Sequence, residues 1–362
     1  MQLVKNILDS LHNASQKNKL LGMFKPVLNA IDGFFFGTPH VTSIPHIVDP
    51  LDIKRFMSFV IIALIPAVLG AIYAWGLRVI AVIIVSYLFG GLIEVAFAIA
   101  RKKEVHEGFL VTGLIFPLIL PPNVPLWVVA IGVMFGVLFG KEVFGGTGRN
   151  IFNPAIAGRI FLTIAFPQIM SVKWPLPFTS GLGGFVHYQN SVDAVTSATP
   201  LALFKTQMLL TPYTQLFFGQ GTGCIGETFR IGLILGGLFL ILLKIVDWRI
   251  PFAYLFSVAA FSFLGNQFLH THFAPPLFQL LSGGLLLGAF FMATDPVTSP
   301  FTKQGRWIAG VSLGVLTVLI RGLSGYVEGV MFSILLLNVF GPLIDLLVLK
   351  VRYRKKIVTA QK

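Results

Sequence analysis

Long apolar stretches dominate this sequence and restrict the folds that it can adopt. Ten of them could form a membrane helix or much of one: 56–75, 79–100, 108–121, 126–140, 152–169, 229–246, 251–269, 277–293, 307–321 and 329–349. A helix needs roughly 17–25 mostly apolar residues to cross the hydrocarbon core of a bilayer. Only 11% of the residues are charged, and the mean hydropathy is +0.84, whereas a soluble domain carries about 25% charged residues. We therefore predict an all-α polytopic membrane protein with about ten transmembrane helices.

The two halves of the chain carry similar motifs in the same order. Residues 132–136 and residues 310–314 both read Gly-Val-x-x-Gly. At corresponding positions, 108–121 and 277–293 are short or interrupted by Gly and Pro, which is typical of broken helices that face protein or a cavity. Five spans per half is an odd number, so the halves must have opposite orientations. We predict two inverted five-helix repeats with broken helices.

Basic residues are distributed unevenly between the connecting segments. With the N-terminus inside and the spans alternating, 21 Lys and Arg fall inside and five outside, and Arg159 within a span completes the total of 27. This bias predicts that both termini are cytoplasmic, and it explains the net charge of +13 without a nucleic-acid partner. The predicted units are a cytoplasmic N-terminal extension (1–54), the first repeat (55–169), an external loop (170–228), the second repeat (229–349) and a basic cytoplasmic tail (350–362).

Cysteine and histidine usage gives no support for a metal centre. Cys224 is the single cysteine, which excludes an internal disulfide and any multi-cysteine zinc or iron–sulfur site within the chain. No pair of histidines has the spacing of a haem or metal site. We expect no bound metal.

A Gly-rich segment, residues 140–154, joins two spans on the predicted cytoplasmic side. Its glycines permit tight turns and close approach of a ligand. Thr147, Asn150 and Asn153 offer hydrogen-bonding groups that suit the edge of an isoalloxazine or a nicotinamide. The lysine precedes the glycines, so the segment is not a phosphate-binding P-loop. The alternative is a tight turn between helices with capping residues.

Three carboxylates lie in or beside apolar stretches, where a charged group is by default a functional hypothesis. Glu94 follows Gly90 and Gly91 in the second stretch; it could be neutral, pair with Lys or Arg, or face a quinone head group or an ion path. Asp295 lies in an Ala-Thr-Asp-Pro turn whose oxygen atoms suit a sodium ion. Asp345 could serve the same path, or it could be a solvated residue at the end of the last span.

The predicted external loop contains Asp193 and the segment Thr196-Ser-Ala-Thr199-Pro200. Taken alone, this pattern predicts a polar turn in which Asp or Thr caps a helix that begins at Pro200.

Several separate stretches nevertheless resemble one family. The matching segments are 36–42, 52–55, 108–112, 140–154, 197–200, 247–249, 291–296 and 305–307. Together they are similar to the B subunit of sodium-translocating NADH:quinone oxidoreductases and, more distantly, to the D subunit of Rnf complexes. The resemblance runs from about residue 35 to residue 348.

The resemblance implies that FMN is esterified through its phosphate to Thr199. Ser197 stands where the family usually has Gly, whereas the small residue Ala198 and the upstream Asp193 are kept. The flavin would then lie on the external face.

The resemblance also assigns roles to the other candidates. It implies a quinone site at Gly90, Gly91 and Glu94, a non-covalent riboflavin site at Thr112, Asn150 and Asn153, and a sodium path at Asp295 and Asp345. Electrons would enter from an external partner, cross the membrane and pass to quinone. The protein would be one of six subunits of an NADH-oxidising complex in the bacterial inner membrane, beside a second subunit that carries covalent FMN on the external face.

Two alternatives remain open. An Rnf-type D subunit would exchange electrons with ferredoxin rather than quinone, although the extended N-terminus with residues 52–55 favours the quinone enzyme. A channel built on the same inverted repeat would need no flavin at all.

Overall fold

The computed structural model describes residues 53–102, 108–171, 174–189 and 198–360, together with residues 9, 10, 13 and 28. None of these residues lies in a β-strand, and most lie in helices, which confirms the predicted all-α class. Almost all of the predicted N-terminal extension lies outside the described residues. Asp193 and Ser197, in the predicted external loop, also lie outside them.

The helices follow the apolar stretches of the sequence. In chain order they are α1 Ile53–Trp75, α2 Arg78–Arg101, α3 Gly108–Leu118, α4 Leu126–Gly140, α5 Pro154–Ala165, α6 Pro167–Ser171, α7 Pro200–Gln207, α8 Tyr213–Phe217, α9 Arg230–Leu242, α10 Arg249–Phe268, α11 Pro276–Leu281, α12 Leu285–Leu287, α13 Lys303–Leu323 and α14 Val330–Ala360. A helix or helix fragment therefore lies in each of the ten apolar stretches.

Five of the described helices are long and apolar enough to cross a membrane. They comprise Arg55–Trp75, Arg78–Arg101, Leu126–Phe144, Lys303–Leu323 and Val330–Arg354. Three more are apolar but shorter: α3, α5 and α9. Five candidate spans are fewer than the ten predicted, so the ten-span arrangement of two inverted repeats stays a prediction.

The stretch 277–293 is interrupted. Helix α11 ends at Leu281, Ser282 is extended, and Gly283 adopts a φ of 66° that favours glycine. The chain then resumes as α12 and a π-helical turn over Gly288–Met292. Such backbone is compatible with membrane depth only where protein or a cavity surrounds it, and the residues of this turn are buried.

The Gly-Val-x-x-Gly segments of both halves are sites of close helix packing. In α4, Gly136 lies against the carbonyl of Pro154, at the start of α5. In α13, a Cβ atom at Gly314 would lie 2.9 Å from the carbonyl oxygen of Tyr254 in α10. Small residues let helix backbones approach in this way. The sequence repeat thus corresponds to the same type of contact in both halves.

One buried apolar cluster joins the two halves. It includes Leu64 and Phe116 from the first half and Leu233 and Ile334 from the second, each no more than 1% exposed. The halves therefore share a common core.

The segment that precedes α9 is more structured than an external loop. Its helix α7 places Phe204 against Phe278 of α11, with ring centroids 5.9 Å apart. Together with Leu201, Leu216 and Ala274 these residues form a second, smaller buried cluster. The apolar positions of α7 thus hold Thr199, which immediately precedes this helix, against the second half.

The basic segment after residue 349 continues α14 as far as Ala360. It is therefore an extension of the last helix.

Candidate functional site

A single pocket is lined by Thr112, Asn150 and Asn153, the residues that the family resemblance assigned to one site. This pocket lies where α3 and α5 begin and α4 ends, and Thr147 and Lys141 also line it. Its cavity volume is about 70 Å³, below the roughly 300–1,000 Å³ of typical ligand sites. The structure therefore brings the predicted polar residues together around a narrow space.

The local backbone explains how the two asparagines are placed. Gly145, Gly146 and Gly148 adopt positive φ angles, which produce the tight turn between α4 and α5. Asn150 accepts from the Gly148 amide at 3.3 Å and donates to the Phe152 carbonyl at 3.1 Å. Asn153 caps α5 by accepting from the Ala155 amide at 3.1 Å. The interhelical turn with capping residues, one of the two interpretations of this segment, is thus present.

One buried polar group of this pocket lacks a partner. The Thr147 hydroxyl makes no hydrogen bond within the described part of the chain, whereas Thr112 donates to the Gly108 carbonyl at 3.2 Å. Buried hydroxyls are normally hydrogen-bonded. The Thr147 hydroxyl is therefore the atom of this pocket most suited to a ligand.

Asp295 comes from the second half of the chain and lines the same pocket. Its Oδ2 accepts from the Asn153 amide group at 3.5 Å, and its Oδ1 accepts from the Val297 N–H at 3.0 Å. With its amide oriented for hydrogen bonding, Asn338 accepts from the Asn153 N–H at 3.0 Å and donates to the Thr298 hydroxyl at 3.2 Å. The two halves therefore meet through polar contacts at this pocket.

Glu94 is paired with a lysine, one of the possibilities that its position in an apolar helix left open. It forms an ion pair with Lys141, and both side chains are 4% exposed. Phe109 packs over Gly90 and Gly91, where added Cβ atoms would lie 2.8 and 3.3 Å from its ring. Because Lys141 also lines the pocket of Asn150 and Asn153, the predicted quinone residues adjoin that pocket.

Asp345 is not a solvated terminal residue, and that interpretation is wrong. It is 4% exposed. Its carboxylate accepts from the Phe301 N–H at 2.8 Å and from the Thr302 N–H at 3.0 Å. Phe301 and Thr302 precede α13, whose first amides have no partner within the helix. Asp345 therefore holds the start of α13 from 43 or 44 positions away along the chain.

Thr199 caps α7, as the local pattern predicted. Its hydroxyl oxygen accepts from the Ala202 N–H at 3.3 Å, and Pro200 is the first helical residue. The preceding residue, Ala198, accepts from the Thr222 hydroxyl at 2.8 Å. The loop end is therefore fixed on both sides of Thr199.

A second, larger cavity opens beside Thr199. It measures about 390 Å³ and is lined by Ala198, Thr199, Pro200, Arg159, Thr163, Met170, Ser171, Trp174, Cys224, Glu227, Glu328 and Met331, among others. Thr163 lies ten positions after Asn153 on α5, which corresponds to about 15 Å along the helix axis. The Thr199 cavity and the Asn153 pocket thus lie at opposite ends of α5.

The comparisons with known proteins match the chain over most of its length. A model of the NQR2, RnfD, RnfE family covers residues 40–354. The chain belongs to this family. The resemblance found in the sequence is thereby confirmed, and with five apolar helices the chain is a multi-pass membrane protein.

Relatives that match at full length share one name, as the B subunit of the Na(+)-translocating NADH-quinone reductase. The protein of Pseudomonas paraeruginosa is 34% identical over 413 residues, with 98% of each chain covered. The Yersinia pestis protein is 32% identical over 419 residues, again with 98% of each chain covered. The Chlamydia felis protein is 31% identical over 506 residues that cover 98% of this chain and all of that protein.

The Thr199 cavity also contains charged residues that the sequence patterns did not select. Arg159, Glu227 and Glu328 line the Thr199 cavity together with Cys224. Arg159 lies within an apolar stretch, which by itself marks a candidate functional residue. Glu227 and Glu328 lie at helix boundaries, where a charged residue is common, so their convergence could not be seen from the sequence.

Proposed function

We propose that this chain is the membrane subunit of a sodium-pumping NADH:quinone oxidoreductase that relays electrons through covalent FMN to quinone. One observation carries the proposal. In a chain similar over its full length to the B subunits of such reductases, Thr199 caps a helix at the wall of a cavity of about 390 Å³. This is the volume range of small-molecule sites.

The residues around Thr199 fit an esterified flavin phosphate. The threonine oxygen accepts a hydrogen bond from Ala202, and an ester oxygen keeps a lone pair for that role. A helix N-terminus favours a nearby anion. When bound, FMN supplies one- and two-electron transfer, while this chain positions it and sets its electrostatic surroundings. Because the bond is covalent, the flavin cannot exchange, which suits an electron relay.

Riboflavin stays a prediction at the pocket of Thr112, Asn150 and Asn153. The polar groups are suitable, and the Thr147 hydroxyl has no hydrogen-bond partner among the residues that the structure describes. The cavity of about 70 Å³ is smaller than a flavin requires in this conformation, so no electron-transfer step is assigned to riboflavin.

The quinone would bind near Gly90, Gly91 and Glu94. Reduction of a quinone consumes protons, and the Glu94–Lys141 pair offers a buried acid and base beside the polar pocket. Glu94 and Lys141 would hold and transfer these protons while Phe109 covers the glycines.

Sodium would pass by Asp295, whose carboxylate lies where the two halves meet. Sodium is a hard cation that prefers oxygen ligands, as calcium and magnesium do. Asp345 would contribute to the path through the cavity that it shares with Thr298 and Asn338, in addition to holding α13.

The proposed setting follows from charge and repeat patterns. We propose ten spans in two inverted repeats in the bacterial inner membrane, with both termini in the cytoplasm. Thr199 then faces outward, and Asn153 and Glu94 lie towards the cytoplasm. The complex would comprise six subunits, and a second subunit with covalent FMN would meet this one at the external face.

Inverted membrane vesicles provide the test. With the chain present, NADH should reduce added quinone faster in sodium than in potassium medium, and the vesicles should take up sodium. Membranes from a strain that lacks only this chain should lose both activities. Electron exchange with ferredoxin but not quinone would favour the Rnf-type alternative, and sodium uptake without NADH oxidation would favour a channel; either result would overturn the proposal.

A further inference from the structure

Arg159 is a buried cation whose guanidinium has two sulfur atoms as its hydrogen-bond partners within the described residues. It lies on α5 and is 6% exposed. Its Nε donates to Met331 Sδ at 3.2 Å, and its Nη2 donates to Cys224 Sγ at 3.6 Å. Thioether and thiol sulfurs are weak acceptors. The third nitrogen, Nη1, is buried and has no hydrogen-bond partner within the described part of the chain.

The carboxylates of the cavity do not neutralise this guanidinium directly. Glu328 is paired with Arg321 at 2.9 Å and accepts from the Gly284 and Val330 amides at 3.2 Å. Glu227 lines the cavity as well. Within the described ranges, no carboxylate oxygen lies within 4 Å of Arg159. Glu227 attracts Arg159 only from beyond that distance. A buried charge without an ion-pair partner is costly, so an anionic ligand group beside Arg159 would stabilise it.

Two features of the cavity suit the two parts of FMN that carry negative charge. Thr199 and the N-terminus of α7 suit the phosphate. Arg159 comes from another helix and lines the same cavity. The second place where FMN gathers negative charge is the pyrimidine edge of its isoalloxazine, at N1 and the C2 carbonyl, when the ring is reduced.

We propose, on the basis that Thr199 carries FMN, that Arg159 contacts this pyrimidine edge and raises the reduction potential of the flavin. Electrons come from NADH through the partner subunits, and each one adds a negative charge to the ring unless a proton follows. No bond forms or breaks at Arg159. It favours the reduced ring by electrostatic attraction, because a buried fixed charge acts more strongly than one in water.

The test compares three variants in the intact purified complex. Arg159→Met removes the charge, Arg159→Lys keeps it, and Thr163→Val changes a cavity residue one turn further along α5 whose hydroxyl already donates to the Arg159 carbonyl at 2.9 Å. Covalent flavin is measured as fluorescence of the denatured subunit, and the potential by spectroscopic redox titration with the FMN on Thr199 followed separately. For Arg159→Met we expect a tenfold or larger shift towards oxidised flavin, equivalent to a fall of about 30 mV or more for a two-electron couple. Arg159→Lys and Thr163→Val should change the ratio of oxidised to reduced flavin less than threefold, which is equivalent to a change of less than about 15 mV in the potential.

The outcomes separate this inference from the proposed function. If the wild-type subunit carries no flavin on Thr199, the proposed function fails at its first step. If Arg159→Met keeps its flavin and the potential is unchanged, this inference is wrong while the proposed function stands. If Arg159→Met loses the flavin and Arg159→Lys retains it at the wild-type potential, the arginine serves attachment at the phosphate, and the inference is again overturned.

Discussion

The ammonium group of Lys141 and the carboxylate of Glu94 pair in the interior, although 47 positions separate them along the chain. Lys141 follows the last residue of α4 and also lines the pocket of Asn150 and Asn153. A second ion pair follows directly in the chain, since Glu142 contacts Arg101 at 2.8 Å. The C-terminal half of α2 is thus joined to the end of α4 by two ion pairs. The predicted quinone site and the polar pocket therefore depend on one small group of charges.

Replacing Glu94 should impair quinone reduction without affecting flavin attachment. Glu94→Ala removes the acid nearest the glycines and leaves Lys141 buried without its partner, which costs about 3–5 kcal/mol when a buried pair is broken. We expect slower NADH-driven quinone reduction, a lower unfolding temperature and unchanged flavin fluorescence of the denatured subunit. The double variant Glu94→Leu/Lys141→Met should recover stability but not activity. Simultaneous loss of activity and flavin in Glu94→Ala would make Glu94 a folding residue.

The two aspartates of the predicted sodium path should behave differently. Asp295→Asn removes a charge where the halves meet, so quinone reduction should lose its stimulation by sodium while the protein stays folded. Asp345→Ala removes the group that holds the start of α13, and loss of a helix cap costs about 0.5–2 kcal/mol. Sodium titrations of activity and thermal unfolding of both variants distinguish these effects. Retention of full sodium stimulation in Asp295→Asn would exclude Asp295 from the path.

The ion pairs of Asp247 should make the free energy of unfolding depend on pH in the acid range. It precedes α10 and pairs with Arg249 at 2.7 Å and with Arg306 of α13. Burial alone would raise the pKa of Asp247, but the Arg249 amide and the two arginines together lower it. The folded-state pKa thus lies below the ordinary value of about 3.9, so the pair stabilises the fold above that pH and is lost as the pH falls through the folded-state pKa.

Asp247→Asn is the matching variant. It should be less stable than wild type by about 1 kcal/mol or less at pH 6, and the difference should shrink below pH 4. Unfolding temperatures of the detergent-solubilised protein across this pH range provide the measurement. A constant difference at all pH values would contradict the assignment.

Close packing of α4 and α5 should make Gly158 sensitive to substitution. A Cβ atom there would lie 2.5 Å from the Gly132 carbonyl oxygen, and overpacking costs typically about 1–3 kcal/mol. Gly158→Ala should therefore lower the unfolding temperature. Gly325→Ala is the control, because nothing lies within 4 Å of its added Cβ. Equal unfolding temperatures of the two variants would show that α4 and α5 can move apart to admit the added methyl group without a loss of stability.

The sequence predicted what depends on local pattern. Hydropathy located the helices, and Pro200 after Thr199 indicated the cap, because each signal lies within a few residues. Partners distant along the chain could not be chosen in this way. Lys141 was one of several basic residues that could pair with Glu94, and nothing in the sequence indicated that Asp345 holds Phe301 and Thr302. Arg159 was visible as a charge in an apolar stretch, but its cavity is formed by residues from α5, α7 and α14.

Covalent FMN on Thr199 distinguishes this protein from a flavin-free channel, and it can be measured on the isolated subunit. The denatured subunit is examined for flavin fluorescence, and its peptides are examined by mass spectrometry, in wild type, Thr199→Val and Thr206→Val. Thr206 lies on the same helix, is exposed and donates to the Ala202 carbonyl at 2.8 Å, so it controls for loss of a nearby hydroxyl. We predict fluorescence and an FMN-modified peptide at Thr199 in wild type and Thr206→Val, and neither in Thr199→Val. A wild-type subunit without flavin, or a flavin that survives in Thr199→Val, would show that Thr199 does not carry the FMN.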